Sequence, residues 1–284
     1  MGTVLQVEIV GVSADVARPL AEQVLAEAKR WDDILTTWRP AGELARLNAR
    51  AGMGLTPISR ELALALRRML ELSRATAGAF DPGVGPLVSL WKLERAPMEP
   101  VRATALPITA ALGLGEKKGF PQARLSAHAA LDAGAVGKGM ALDAIAELLE
   151  NGGVKGAFLD FGGSSQFAFG LDAKGEPWRV VLAGLEPGDI AGTVSLSNAS
   201  LSTSRASGPG DEAGPIIDPR SRRPVKGPRL ATVLAPRAAV AEAWSTALVV
   251  LGKTGLEAAQ RAGVEALVLD SSGLSLTAGF TLEK

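Results

Sequence analysis

Cysteine and tyrosine do not occur in this sequence, and histidine occurs once, at His128. Without cysteine there can be no disulfide, no thiolate metal site and no cysteine nucleophile, and the redox compartment stays undetermined. A single histidine also excludes any site that needs several histidines. Because tyrosine is absent, hydroxyl chemistry falls to serine and threonine.

Neither sign of charge is in excess, since 30 basic and 30 acidic residues give a formal net charge of zero. The chain as a whole therefore does not attract nucleic acid or an anionic membrane, and an anionic ligand must be held locally. No stretch approaches the roughly 18 to 20 apolar residues needed to span a bilayer. The first ten residues alternate like a strand and lack a secretory pattern. The chain as it stands is expected to be cytoplasmic, without direct insertion into a membrane.

Of the 284 residues, 47% are hydrophobic, which is enough for a packed core. The spacing of these hydrophobic residues indicates the secondary structure. It predicts strands at 3–10, 128–133, 155–161, 192–197 and 230–235, two hairpin-like strands around 165–170 and 178–184, two strands within 265–283, a helical turn at 42–48, and helices at 14–35, 59–75, 138–149, 238–251 and 254–262. The segment 94–119 is expected to be an excursion between lobes, and the Ser-, Gly- and Pro-rich segment 202–229 a loop. Interleaved strands and helices without strict βαβ alternation predict an α+β fold with antiparallel sheets.

Two glycine-rich segments could hold a ligand. In 76–91, Gly78 and its neighbours would let the backbone approach a flat molecule closely, with Phe80 and Trp91 as apolar walls. A helix C-cap followed by a turn explains this segment equally, and Asp81 could be a turn-forming carboxylate. In 131–140, a turn before a helix offers amides to phosphate, and Lys138 adds a positive charge. An ordinary strand-to-helix connection is the alternative.

Two further motifs carry candidate ligands. Asp160 to Gly163 ends an apolar strand with two glycines, which indicates either a tight turn or a main-chain platform for a nucleotide. Glu242 and Thr246 are four residues apart, so on a helix they share a face and supply the oxygen ligands that Mg²⁺ prefers. The alternative is a solvated glutamate and a threonine bonded to its own helix.

A basic run of Arg220, Arg222, Arg223 and Lys226 follows Asp218 and is expected to be mainly a solvated loop. His128 has no nearby partner motif and is predicted to be structural.

The order and spacing of these motifs resemble the ApbE family over nearly the whole chain. The matching blocks are Met1-Gly2-Thr3, 43–48, Thr76 to Pro82 with 85–87 and Trp91, 131–143, 160–163, Ile216 to Arg220 and Glu242 to Leu248. The block from Thr76 to Pro82 is similar to the family's Thr-x-Gly-(Ala/Tyr)-Phe-Asp-Pro, and it is the most specific of them.

The resemblance implies one ApbE-like, T-fold-like domain over 1–284, with two lobes, a cleft between them and an excursion at about 94–125. It implies an Mg²⁺-dependent enzyme that moves FMN from FAD to a threonine or serine hydroxyl of an acceptor flavoprotein and releases AMP, with FAD pyrophosphatase activity as a further capacity. The acceptor is expected to belong to a redox complex. The family is mostly periplasmic or membrane-anchored through an upstream segment.

The resemblance also assigns residues. FAD would contact Met1, Thr76, Gly78, Phe80, Asp81, Lys138, Asp160, Gly162 and Gly163. Mg²⁺ would bind Glu242, Thr246 and the carbonyl of Ala135. Lys138 would help to bind the ligand or stabilise the transition state, and Asp218 would be the remaining general base.

Three positions depart from the family pattern. Pro215 occupies the position of a histidine that precedes Ile-Ile-Asp-Pro, Arg205 replaces the glycine of Thr-Ser-Gly, and Glu242 replaces a metal-binding aspartate. A flavin-binding relative with weak or lost transfer is therefore the alternative to an active transferase, and an unrelated α+β binding protein is a third reading.

Overall fold

A computed structural model describes residues 2–94, 105–207 and 215–283, without the side chains of 91–94. The contacts predicted for Met1 and for the side chain of Trp91 lie outside these residues. The helices are α1 (Ala14–Leu35), α2 (Glu43–Ala49), α3 (Arg60–Ala75), α4 (Gly85–Glu94), α5 (Ile108–Ala111), α6 (Gly137–Asn151), α7 (Ala238–Leu251) and α8 (Leu256–Arg261), with 3-10 turns at Pro82–Val84 and Gly252–Gly255. None of the described helices combines the length and the hydropathy needed to cross a membrane.

The strands are interspersed with these helices without regular alternation. They are β1 (Leu5–Val10), β2 (Thr56–Pro57), β3 (Leu112–Lys117), β4 (Phe120–Leu125), β5 (Gly156–Phe161), β6 (Ser165–Phe169), β7 (Trp178–Ala183), β8 (Ile190–Leu196), β9 (Ala199–Arg205), β10 (Ile217–Asp218), β11 (Arg223–Pro224), β12 (Arg229–Ala235), β13 (Glu265–Asp270) and β14 (Gly273–Leu276). The largest sheet in the described residues has seven strands in the order β1-β5-β6-β9-β12-β13-β14, and every pair is antiparallel. The prediction of an α+β fold with antiparallel sheets is confirmed, and the two-lobe description stays a prediction.

The two faces of the large sheet carry different layers. On one face Leu159 and Phe167 pack against α6 through Leu142 and its apolar neighbours. On the other face the β7–β8 hairpin covers the sheet, and the ring of Trp178 stacks on Phe158 at 5.5 Å between centroids. Because both faces are covered, β6 is buried along its whole length.

Helices α6 and α7 cross closely, and one glycine permits the approach. A Cβ atom at Gly139 would lie 2.6 Å from the carbonyl carbon and oxygen of Ala238. The carboxylate of Asp143 on α6 accepts hydrogen bonds from the amides of Ala238 and Ala239, at 2.6 and 3.2 Å. Asp143 therefore caps the first turn of α7, for which the residue before the helix supplies no side-chain cap.

The strand predicted at 128–133 is wrong. Alternate residues there are buried, which explains the apolar pattern, but the backbone has no strand partner. Instead the side chain of Asn48 bonds both the amide and the carbonyl of Leu131, each at 2.9 Å, and the amide of Asp132 bonds the carbonyl of Pro82 at 2.8 Å. His128 is an exposed turn residue with φ of +64°.

The excursion at 94–125 stays a prediction, and its described part contains a β3–β4 hairpin that also pairs with β2. The sequence did not indicate this hairpin, because glycines at 113 and 115 interrupt the apolar pattern. Two other predictions need correction. The expected loop at 202–229 begins inside β9 and ends at β12, because the serines of β9 bond to neighbouring elements instead of solvent. Strands β6 and β7 do not form a hairpin, since β6 pairs with β5 and β9 and β7 pairs with β8.

Candidate active site

Two cavities lie side by side near the start of α6. The first, of about 310 Å³, is lined by Thr36, Thr37, Trp38, Lys138 and others, and we call it the Lys138 cavity. The second, of about 300 Å³, is lined by Phe80, Asp81, Ala135, Ser204, Arg205, Thr246 and others, and we call it the Thr246 cavity. Asp132 and Gly134 line both. The two cavities together can take an elongated ligand with different groups at its ends.

Lys138 stands at the first turn of α6, where helix amides and a positive charge favour an anion. Its ammonium group donates a hydrogen bond to the hydroxyl of Ser164 and lies 3.7 Å from a carboxylate oxygen of Glu242. The side chain remains 21% exposed on the side of the Lys138 cavity. Lys138 can therefore neutralise a phosphate while its position is fixed from behind.

The Gly162-Gly163 turn lies next to this lysine, since Ser164 follows it. Both glycines are left-handed, with φ of +72° and +69°, and a Cβ atom at Gly162 would lie 2.5 Å from the Thr3 hydroxyl oxygen. The carboxylate of Asp160 accepts a hydrogen bond from the Gly163 amide at 2.7 Å. The tight turn is confirmed, and the nucleotide platform stays a prediction.

The carboxylate of Glu242 lines neither of the two cavities. It is 4% exposed, and its two oxygens accept hydrogen bonds from the amide of Gly139 and the hydroxyl of Ser165, each at 2.6 Å. Burial raises the pKa of Glu242, while Lys138 and these hydrogen bonds oppose the shift. The carboxylate joins α7 to α6 and β6.

The loop after α3 contains residues that only stabilise the fold and residues that line a cavity. Thr76 is the C-cap residue of α3, and its buried hydroxyl donates to the carbonyl of Leu72 at 2.9 Å. Gly78 is left-handed with φ of +76°, as the C-cap interpretation predicts. Thr76 and Gly78 line neither cavity, whereas Phe80 and Asp81 line the Thr246 cavity.

Asp81 is also a structural centre. It is 6% exposed, and its carboxylate accepts hydrogen bonds from the amides of Gly83 (2.7 Å) and Ile108 (2.9 Å) and the hydroxyl of Ser73 (3.1 Å). Burial raises the pKa of Asp81, and the three hydrogen bonds oppose that shift. The turn interpretation of this residue is confirmed, and FAD contact is untested.

The predicted magnesium ligands are only partly brought together. Ala135 and Thr246 line one cavity, where the hydroxyl of Thr246 lies 3.5 Å from that of Ser204. Glu242 does not line it. Within the described ranges there is no group of three histidine, cysteine, aspartate or glutamate residues that could hold a metal ion. Two neutral oxygens fit a cation that arrives with phosphate, but the carboxylate, as it is bonded, does not fit as the third ligand.

Asp218 does not line the Thr246 cavity, although its neighbours Ile217 and Pro219 do. Its carboxylate accepts from the backbone amide of Arg220 at 2.9 Å and from the guanidinium of the same residue at 3.4 Å. Arg222 and Arg223 are exposed, in agreement with a solvated loop. The carboxylate of Asp218 is thus bonded within a turn. Its role as general base stays a prediction.

Sequence reasoning missed several cavity residues. Trp38 is 64% exposed beside the Lys138 cavity, and it follows the helix α1 at a point where apolar periodicity has ended. Asp132 lies between the cavities within a motif that was read for its glycines. Arg205 adds a cationic side chain to the wall of the Thr246 cavity. Its guanidinium donates hydrogen bonds to the carbonyls of Gly184 (2.6 Å) and Leu185 (2.8 Å).

The sequence profile of the ApbE family matches residues 1–268. The chain belongs to the ApbE family. A relative from Salmonella typhimurium, named FAD:protein FMN transferase, is 29% identical to this chain. The aligned region spans 96% of this chain and 83% of the relative. A protein of the same name from Klebsiella pneumoniae is 30% identical, over 89% and 77% of the two chains. The apo crystal structure of the flavinyl transferase ApbE from Pseudomonas stutzeri is 25% identical, with a TM-score of 0.82 over 98% of this chain and 92% of that one.

All three departures from the ApbE pattern lie at or beside the cavities. Pro215 and Arg205 line the Thr246 cavity, and Glu242 lies behind Lys138. Strand β9 continues to Arg205 without a left-handed residue, so this chain does not use the conformational freedom of the family's glycine there. The departures change the chemistry of the cavity wall while the surrounding fold stays that of an ApbE protein.

Proposed function

We propose that this protein is an FAD:protein FMN transferase. Lys138 and the first turn of α6 at one cavity, joined to the hydroxyl-lined Thr246 cavity next to it, carry this proposal. In a chain with no net charge, that lysine and helix terminus form a local site for an anion. The names of its relatives supply the class of ligand and reaction.

The proposed reaction is one phosphoryl transfer. A threonine or serine hydroxyl of the acceptor attacks the phosphorus that is attached to riboflavin, the bond from that phosphorus to the bridging oxygen breaks, and AMP leaves with that oxygen. The hydroxyl proton passes to a base or to solvent. When water replaces the acceptor, the same step is FAD hydrolysis. The acceptor is a flavoprotein subunit of a redox complex.

The chain contributes mainly position and charge to this step. Lys138 binds the pyrophosphate and stabilises the charge that develops on it, because its ammonium is held at the cavity by Ser164. Phe80 offers an apolar wall in the Thr246 cavity. Mg²⁺ would neutralise charge on the pyrophosphate, and the carbonyl of Ala135 and the hydroxyl of Thr246 would hold it.

The proposal is tested by incubating the protein with FAD, Mg²⁺ and a threonine-containing acceptor peptide. A mass increase of FMN size on the peptide, absent when the peptide's threonine is alanine, is expected. FAD affinity is measured in parallel by equilibrium titration. FAD binding without a mass increase would favour the alternative of a flavin-binding relative, and no affinity up to millimolar FAD would overturn the proposal.

Pro215→His is expected to raise the transfer rate about tenfold, since positioned acid–base groups contribute about 100-fold or more when well placed. Pro215 lines the Thr246 cavity and has no group that accepts a proton. The measurement is the initial rate of peptide flavinylation at saturating FAD. Pro215→Gln is the matched control, because it adds a polar side chain that does not titrate. Equal rates for the two variants would show that a base at this position is not needed.

A further inference from the structure

Glu242 has the contacts of a residue that holds other residues in place. Its side chain is one methylene longer than the aspartate of the ApbE pattern, and that length lets it reach the Gly139 amide and the Ser165 hydroxyl. Both bonds are 2.6 Å long, and one goes to each carboxylate oxygen. Because the group is 4% exposed, these donors replace the water that a carboxylate otherwise needs.

Lys138, which lines the cavity named after it, completes this arrangement. The ammonium of Lys138 lies 3.7 Å from the oxygen of Glu242 that Ser165 also contacts. A divalent cation on the same carboxylate would lie beside the ammonium and would compete with it for one negative charge. The folded chain therefore gives Glu242 a cationic partner of its own, with no need for a metal ion.

Of the groups that Glu242 contacts, Lys138 lines a cavity, and Gly139 and Ser165 are buried next to it. Gly139 and Lys138 belong to the first turn of α6, and Ser165 follows the Gly162-Gly163 turn and Ser164. Lys138 also donates to Ser164, so the carboxylate, the lysine and the two serines form one network across α7, α6 and β6. A change at Glu242 would displace the lysine and the helix terminus together.

We propose that Glu242 is a positioning residue that fixes Lys138 and the first turn of α6, and that it is not a magnesium ligand in this protein. The identity of the ligand that Lys138 meets rests on the proposed function, whereas the network itself does not. Of the three predicted magnesium ligands, Ala135 and Thr246 then remain.

The test compares Glu242→Gln with Thr246→Val, using FAD and Mn²⁺ as probes. FAD affinity is measured by fluorescence titration in EDTA, and Mn²⁺ affinity by electron paramagnetic resonance with FAD in excess. Glu242→Gln should weaken metal-free FAD binding about tenfold and change Mn²⁺ affinity less than about twofold. Thr246→Val should do the reverse, with about a tenfold loss of Mn²⁺ affinity, since losing a supporting or ligating group typically costs about 10- to 100-fold.

Hydrogen exchange separates this inference from the proposed function. The Gly139 amide should exchange faster in Glu242→Gln than in wild type, and at the wild-type rate in Thr246→Val, whether or not FAD binds. A Mn²⁺ affinity that falls tenfold or more in Glu242→Gln would overturn the inference, as would unchanged exchange at Gly139. If the variant does not fold, the inference is tested with an anomalous difference map of wild-type crystals soaked with MnCl₂ and FAD. Mn²⁺ within coordination distance of the Glu242 carboxylate would contradict the inference. Failure of wild-type protein to bind FAD would sink only the proposed function.

Discussion

Lys138→Gln is expected to lower the rate of FMN transfer by about 100- to 1,000-fold, the usual cost of removing one preorganised group from a transition state. Lys138 lies in the first turn of α6 and lines a cavity, and its side chain is partly exposed. Glutamine can still donate to Ser164 or to Glu242, so the network behind the cavity keeps a donor while the positive charge is lost. The measurement is single-turnover flavinylation of the peptide at saturating FAD.

The matched control for that experiment is Lys174→Gln, which removes an exposed lysine from the turn between β6 and β7 and leaves the net charge the same as in Lys138→Gln. Its rate should stay within about twofold of wild type, because exposed charges far from a site are largely screened. Equal rates for both variants would show that Lys138 does not act on the reacting phosphate. Thermal unfolding of both variants checks that the fold survives.

The bounds of two helices could be predicted closely from the sequence. The prediction of α7 at 238–251 agrees with the structure at both ends, and Ser59 caps α3 as its position indicates, accepting from the Leu62 amide at 3.0 Å. In α1 the apolar pattern is less informative about burial, because Val16 and Leu25 occupy apolar positions of the helical pattern but are exposed. Helical periodicity fixes the element, while the partners that cover each face are set by the tertiary structure.

Strands whose polar groups find tertiary partners could not be recognised. Ser202 and Ser204 point toward α7 and bond the hydroxyl of Ser245, at 3.0 and 2.8 Å, so a serine-rich strand is buried where local composition indicates a loop. The opposite error occurred around Leu131, where an apolar alternation has a side chain, Asn48, as its hydrogen-bond partner. In both cases the deciding group is far away in sequence.

The same limit applies to the candidate site. Phe80, Ala135 and Thr246 were predicted to lie near a ligand, and the fold brings them to one cavity. Glu242 was assigned by its spacing from Thr246, which places both on one helix but does not say where the longer side chain bonds. Its direction depends on Gly139 and Ser165, which only the packing of α6, α7 and β6 brings within reach.

Asp81→Ala is expected to lower the free energy of unfolding by about 3 kcal/mol, because it leaves three buried donors without an acceptor at about 1 kcal/mol or more each. Those donors are the amides of Gly83 and Ile108 and the hydroxyl of Ser73. Since Ile108 begins α5, the change also removes a hydrogen bond that holds the start of that helix. Urea unfolding followed by circular dichroism measures the effect.

Asp81→Asn is the matched control, and it adds a test of the carboxyl's ionisation. Its amide oxygen can still accept from both amides, so it should lose only about 1 kcal/mol at neutral pH. Burial raises the pKa of Asp81 in the folded chain. The stability that a carboxyl with a raised pKa contributes is fully present below its ordinary value of about 3.9 and is lost as pH rises through the folded value. The free energy of unfolding of wild type minus that of Asp81→Asn should therefore grow as pH is lowered from 7 toward 4. Asparagine cannot titrate, and the other buried carboxyls contribute equally to both proteins, so a difference that stays constant over this range would mean that folding leaves the pKa of Asp81 unchanged.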